Sequence, residues 1–208
     1  MKIVILDGIC ENPGDLSWDW LKEYGELTVY DRTPKDKIIE RSEGAEIILT
    51  NKTPLNAQTL SLLPDLKFIA VIATGYNIID TQYCKEHGIT VSNIPSYSTD
   101  AVAQNVFAHI LEHTNHLHSY SESVHNGDWS ACPDFCYQTF PIFELKDKTI
   151  GIFGYGKIGK QVARIALAFN MKVLVHTSHP GNQDGITFTD LDTLIRESDF
   201  ITLHCPLT

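Results

Sequence analysis

Thr149-Ile150-Gly151-Ile152-Phe153-Gly154-Tyr155-Gly156-Lys157-Ile158-Gly159 is the stretch on which the fold turns. A short apolar run leads straight into G-x-G-x-x-G. Val162, Ile165, Ala166 and Phe169 then follow at helical spacing. Alone the glycine pattern is weak; between a strand and a helix it reads as a dinucleotide-binding turn. Gly154 permits the tight turn, Gly156 lets backbone N–H groups approach a pyrophosphate, and Gly159 lets helix and strand pack closely. The helix N-terminus adds partial positive charge where phosphates would sit. The competing reading is a glycine-rich turn without a ligand. A triphosphate P-loop is not supported, because no G-K-[ST] follows the loop. About 20 residues on, an acid would bind a ribose 2′-hydroxyl and favour NAD. The chain there reads His176-Thr177-Ser178-His179-Pro180, with neither an acid nor an arginine. NAD and NADP therefore both stay open, and His179 adds attraction for a 2′-phosphate when protonated.

Working outward, a second αβ pattern surrounds the loop, with strands over 149–153, 172–176 and 200–203, a short one over 185–188, and helices over 157–170 and 190–197. Upstream, strands are expected over 2–6, 27–30, 46–50, 67–73 and 90–93. Helical pieces lie near 18–24, 35–41, 56–63 and 78–87. Such alternation indicates βαβ units and parallel sheets. The strands end in turn clusters: Asp7-Gly8, Asn51-Lys52-Thr53-Pro54, Thr74-Gly75-Tyr76-Asn77 and Ile94-Pro95-Ser96. Ligands in open α/β sheets sit outside such carboxyl ends. The pattern changes at Pro95. Ser96 is a candidate cap, and Val102, Val106 and Ile110 define a long amphipathic helix suited to packing between two bodies. The expected domains are 1–95 and 96–208, with the interdomain helix starting near 98. The aromatic, proline-bearing segment 126–143 reads as an ordered connector.

The 208 residues carry 16 Lys+Arg against 26 Asp+Glu, a net charge of −10. That balance argues against a nucleic-acid partner, which calls for a basic face. No apolar run is long enough for a membrane span. Lys2 and the short run broken by Asp7 suit a buried first strand, not a signal peptide. Five scattered cysteines without C-x-x-C support neither a disulfide framework nor a zinc ribbon, and a reducing cytoplasm is expected.

Several motifs together resemble the D-isomer-specific 2-hydroxyacid dehydrogenase family, especially its glycerate dehydrogenase (hydroxypyruvate reductase) branch. They are Thr50-Asn51-Lys52-Thr53-Pro54-Leu55, Ala73-Thr74-Gly75-Tyr76-Asn77-Ile78-Ile79-Asp80, and Asn93-Ile94-Pro95-Ser96-Tyr97-Ser98-Thr99-Asp100-Ala101-Val102-Ala103-Gln104. The glycine loop and Leu203-His204-Cys205-Pro206-Leu207-Thr208 complete the set. The resemblance implies a flavodoxin-like substrate domain plus an incomplete Rossmann domain, both with parallel sheets. It implies an NAD(P)-dependent oxidoreductase that moves hydride between a nicotinamide and a small 2-oxo acid of the hydroxypyruvate or glyoxylate type. Amides near Thr74, Gly75 and Tyr76 would hold the substrate carboxylate, with Lys52 adding charge. Gly154, Tyr155, Gly156, Lys157, Ile158, Gly159, Thr177, Ser178, His204, Cys205 and Pro206 would line the cofactor site. The family's catalytic arginine, glutamate and histidine lie beyond the point matching Thr208, so no catalytic residue is assigned here and the chain reads as an N-terminal portion or a truncated relative. The rival is a non-catalytic dinucleotide-binding or scaffold protein of the same fold. A formate or phosphoglycerate dehydrogenase is the third reading.

Other constellations are read conservatively. His109, His113, His116 and His118 crowd one expected helix, but no H-E-x-x-H is present and no metal is assigned. In the resembling family this helix lies near a subunit contact, so an interface role and a homodimer are expected. Cys132 and Cys136 read as packing thiols. Asn77 and Asp80 read as turn-forming and helix-capping residues.

Overall fold

The computed structural model describes residues 1–205, which fall into two compact units, Met1–Tyr97 and 98 onward. The first holds strands β1 (Lys2–Ile5), β2 (Glu26–Val29), β3 (Ile47–Thr50), β4 (Phe68–Val71) and β5 (Thr90–Ser92). Its helices are α1 (Ile38–Ser42), α2 (Ala57–Leu60) and α3 (Thr81–Glu86). All strands are parallel, in the order β2-β1-β3-β4-β5. A parallel sheet covered on both faces needs apolar side chains in both directions, hence the unbroken run Ile3-Val4-Ile5-Leu6. Val4 and Leu6 pack with Ile48, Ile69 and Val71 on one face, and Ile3 and Ile5 with Leu21 and Leu49 on the other. The two faces alternate because successive strand side chains point opposite ways.

The second unit opens with α4 (Thr99–Asn115), α5 (Leu117–His125) and α6 (Asp128–Ala131), followed by β6 (Thr149–Phe153) and α7 (Lys157–Ala168). Then come β7 (Lys172–His176), β8 (Ile186–Phe188), α8 (Leu191–Glu197) and β9 (Phe200–Leu203). Its sheet is also parallel, in the order β8-β7-β6-β9. Ile150, Ile152, Val173 and Val175 share a core with Ala103, Phe107 and Ile110 of α4 and with Val162, Ala163 and Ala166 of α7. On the strand's other side, Gly151 faces Leu194 and Ser198 across α8.

Three expectations shift. The helix after Pro95 is capped by Ser98, not Ser96, with Asp100 in its first turn. The histidine-rich segment is two helices: His116 takes a left-handed conformation (φ 51°) and breaks the face. His116 therefore does not continue the face that His109 and His113 share at i, i+4, and beyond it the His118 amide turns back to the Glu112 carboxylate at 3.3 Å. The piece near 18–24 is a short 3₁₀ turn, Asp19–Glu23, too brief and aromatic to extend as an α-helix.

Candidate functional site

In an open parallel sheet, a crevice forms where neighbouring strands send their connections to opposite faces. In the first unit that point lies between β1 and β3. Asp7, just past β1, is 2% exposed and ties it together. Its carboxylate accepts from the Asn51, Lys52 and Thr53 amides at 2.9, 2.7 and 2.6 Å and from the Thr50 and Thr53 hydroxyls at 2.9 Å each. The turn after β3 is thereby fixed around an anion, and Lys52 stands on it with its side chain exposed. The sequence marked Asp7-Gly8 as a strand-end turn cluster, but nothing in it showed that the Asp7 carboxylate binds the turn after β3.

Thr74, Gly75 and Tyr76 lie past β4, all exposed. Thr74 Oγ1 donates to the Ile94 carbonyl at 3.1 Å, and the Thr74 carbonyl accepts from Asn93 Nδ2 at 2.8 Å. The Gly75 and Tyr76 amides have no backbone partner among the described residues. Asp80 caps α3 by accepting from the Tyr83 amide at 2.9 Å, as its capping assignment requires. Tyr76, Lys85 and Asn93 line a cavity of about 440 Å³ beside this loop.

In the second unit the corresponding point lies between β6 and β9, and the glycine loop occupies it. Gly154 has φ 95°, and a Cβ there would fall 2.6 Å from the His204 carbonyl. Backbone conformation and close approach both exclude a side chain. Gly159 has no room either, because a Cβ would collide with the Gly154 carbonyl. Gly156 differs: a Cβ there meets nothing within 4 Å. It caps α7 without a side-chain bond, so the first-turn amides of Lys157 and Ile158 have no intrahelical acceptor, and the space over Gly156 beside them is open. That is the shape and polarity a pyrophosphate needs. Tyr155 Oη donates to Gln183 Oε1 at 2.8 Å and packs edge-on to Phe188. Gln183, unremarked in the sequence, thus joins the loop to the segment after β7.

Past β7, Ser178 Oγ and His179 Nδ1 lie 2.9 Å apart, and the His179 amide donates to Thr177 Oγ1 at 3.4 Å. The His204 amide donates to the Phe153 carbonyl at 2.7 Å, and its Nε2 meets Thr202 Oγ1 at 2.8 Å. Burial holds its imidazole below the usual pKa, which favours the neutral ring. Cys205 is exposed, and Pro206 lies outside the described residues. No group of three or more His, Cys, Asp or Glu among the described residues could hold a metal ion.

Residues 107–208 match the model of the D-isomer specific 2-hydroxyacid dehydrogenase NAD-binding domain. The whole chain is 43% identical, over 213 aligned positions, to a hydroxypyruvate reductase of Blautia hydrogenotrophica, of which it covers 66%. The chain belongs to the D-isomer-specific 2-hydroxyacid dehydrogenase family. It is also 41% identical to a glycerate dehydrogenase of Methylorubrum extorquens, covering all of this chain and 64% of that one. Among solved structures it superposes on an acyclic imino acid reductase in complex with NADPH and D-Arg, with TM-score 0.81 and 34% identity over all of this chain and 66% of the other. The chain thus spans just under two thirds of the length of these dehydrogenase and reductase relatives. The cofactor class that goes with the matched domain is a nicotinamide dinucleotide, NAD or NADP.

Proposed function

We propose that this chain carries the carboxylate-holding and dinucleotide-holding parts of an NAD(P)-dependent oxidoreductase acting on a small 2-hydroxy or 2-oxo acid of the hydroxypyruvate or glyoxylate type. The observation that carries the reading is the empty space over Gly156 beside an uncapped helix N-terminus, at the switch point of a parallel sheet. Lys157 and Ile158 present amides to the pyrophosphate. Gly154, Tyr155 and Gly159 shape the loop, and Thr177 and Ser178 face the adenosine ribose. His204 and Cys205 border the cofactor. When bound, the cofactor supplies or accepts hydride. Lys52 attracts the substrate carboxylate, and the amides at Thr74, Gly75 and Tyr76 orient it. The test is amide NMR on the 208-residue chain. NADH should move the signals of 154–159, and hydroxypyruvate those of Lys52 and 74–76. Absence of both responses contradicts the reading.

A homodimer through the 117–143 face belongs to the same proposal. Leu117, Trp129, Phe135 (90% exposed) and Ile142 are large apolar side chains of this segment left open to solvent, and an interface would cover them. The cytoplasm is the proposed compartment, in keeping with five free thiols. No helix among the described residues is long and apolar enough to cross a membrane.

A further inference from the structure

The switch point of the first unit also holds Glu11, whose carboxyl is buried without a hydrogen-bond donor among the described residues. Glu11 follows the 3₁₀ turn Gly8–Cys10, and its amide is fixed to the Gly8 carbonyl at 3.3 Å. The next residue, Asn12, binds the Gly14 and Leu16 amides and so anchors the loop. The Glu11 side chain is thereby turned inward. Both carboxyl oxygens are buried, and neither has a donor among the described residues. Asn51 lies against that carboxyl, and its Oδ1 is likewise buried and without a donor. Its Nδ2 is committed to the Ile72 carbonyl at 3.0 Å. Turning the amide over would set Oδ1 against that carbonyl, so an amide flip does not repair the cluster. Three buried acceptors lack a hydrogen, and leaving such groups unmet is costly. One proton, carried on a Glu11 oxygen and donated to Asn51 Oδ1, pairs two of the three.

We propose that Glu11 is a positioning residue of the carboxylate-binding turn: carried as the neutral acid, it donates its proton to Asn51 Oδ1 and so fixes the turn that presents Lys52. The charged groups facing it agree. Asp7, an anion held by five hydrogen bonds, repels a second negative charge; Glu11's own amide, the Asn51 side chain and Lys52 favour one, each more weakly than burial and Asp7 disfavour it. Arg32 is engaged with Cys10 Sγ at 3.9 Å on the neighbouring residue. Burial first, and then Asp7, push the Glu11 carboxyl up to about 7 from 4.5. When the proton leaves, a carboxylate appears beside Asp7 and within reach of the Lys52 charge. It draws the ammonium inward and competes with any substrate anion. The functional half of this inference rests on Lys52 binding substrate; the Glu11–Asn51 pairing does not.

The test is carbon-detected NMR on the 208-residue chain with glutamate labelled at its carboxyl carbon, titrated from pH 4.5 to 8.5. The Glu11 signal is the one missing in Glu11→Gln. It should titrate near pH 7, and the Asn51 side-chain amide and the Lys52 backbone amide should move with the same midpoint. In Glu11→Gln, a permanent neutral donor, both should stay still. Hydroxypyruvate should bind about tenfold more weakly at pH 8 than at pH 6 in the unmodified chain, because about a tenth of molecules are then neutral. Its affinity should be flat in Glu11→Gln. A Glu11 midpoint near 4.5, or an Asn51 amide indifferent to the titration, overturns the proposal. Should Glu11→Gln fail to fold, the Asn51 profile of the unmodified chain still decides. If Asn51 follows Glu11 but hydroxypyruvate binds at neither pH, the pairing stands and the substrate role of Lys52 fails.

Discussion

Gly154 and Gly156 look alike in the sequence and do opposite things. Gly154 is required by its own backbone, through a positive φ and the His204 carbonyl pressed against it. Gly156 has ordinary dihedrals and free space, so nothing within the described chain requires a glycine there, and the proposed dinucleotide would. Asp7 and Glu11 are likewise two nearby acids with different fates. Asp7 is saturated with donors, whereas the Glu11 carboxyl oxygens have none among the described residues. The sign of the pH effect follows. Glu11 takes up its proton more tightly folded than unfolded, so its contribution is full below pH 4.5 and fades as pH rises through 7. Glu11→Gln should therefore match the unmodified melting temperature near pH 5 and exceed it at pH 8; equal melting temperatures at both would contradict this. At the far end of β7, Thr177→Asp should shift the NADH-to-NADPH affinity ratio roughly tenfold, about 1.4 kcal/mol, toward NADH. Competitive titration with the two cofactors reads that ratio directly. The glycine loop could be read from sequence because both flanking elements have their own periodicity. Glu11 could not, since its burial depends on a loop folded around Asn12.

Elements show the same division. The parallel strands were legible because burial on both faces writes unbroken Val, Ile and Leu runs. Short helices end earlier than the sequence pattern suggests: α2 and α3 stop within one or two turns, once Asn56 and Asp80 have set their starts. The break at His116 left no mark in the sequence, because the apolar period runs on through it. Gly151 is a further case. Inside β6 it looks like a poor strand former, yet a Cβ there would fall 2.7 Å from Leu194 Cδ2 and collide with Ser198 Oγ. It lets α8 lie close on the sheet. Gly151→Ala should lower stability by about 1–3 kcal/mol through overpacking. Chemical denaturation measures the loss; an unchanged midpoint would show that α8 has room to move.

Over the whole molecule, two parallel sheets each place a polar turn at their own switch point, Asp7 with Asn51–Thr53 in one and the glycine loop in the other. The dinucleotide reading of the second came from the glycine spacing between a strand and a helix, whereas the carboxylate reading of the first came only from the family resemblance. Cofactor choice was not readable, since Thr177, Ser178 and His179 neither repel nor demand a 2′-phosphate. The family resemblance places the catalytic arginine, glutamate and histidine past the position of Thr208. The 208-residue chain should accordingly bind but not turn over. Without the general acid alone, turnover should fall about two to four orders of magnitude below that of a typical enzyme, roughly 10 per second. NADH consumption with hydroxypyruvate checks this. The central claim, that the loop over Gly156 holds a dinucleotide, is tested most directly by calorimetric titration of the chain and of Gly156→Val with NADH. One saturable site in the unmodified chain, lost in a Gly156→Val protein with unchanged circular dichroism, is the predicted result. Equal binding by both proteins, or none by the unmodified chain, would contradict it.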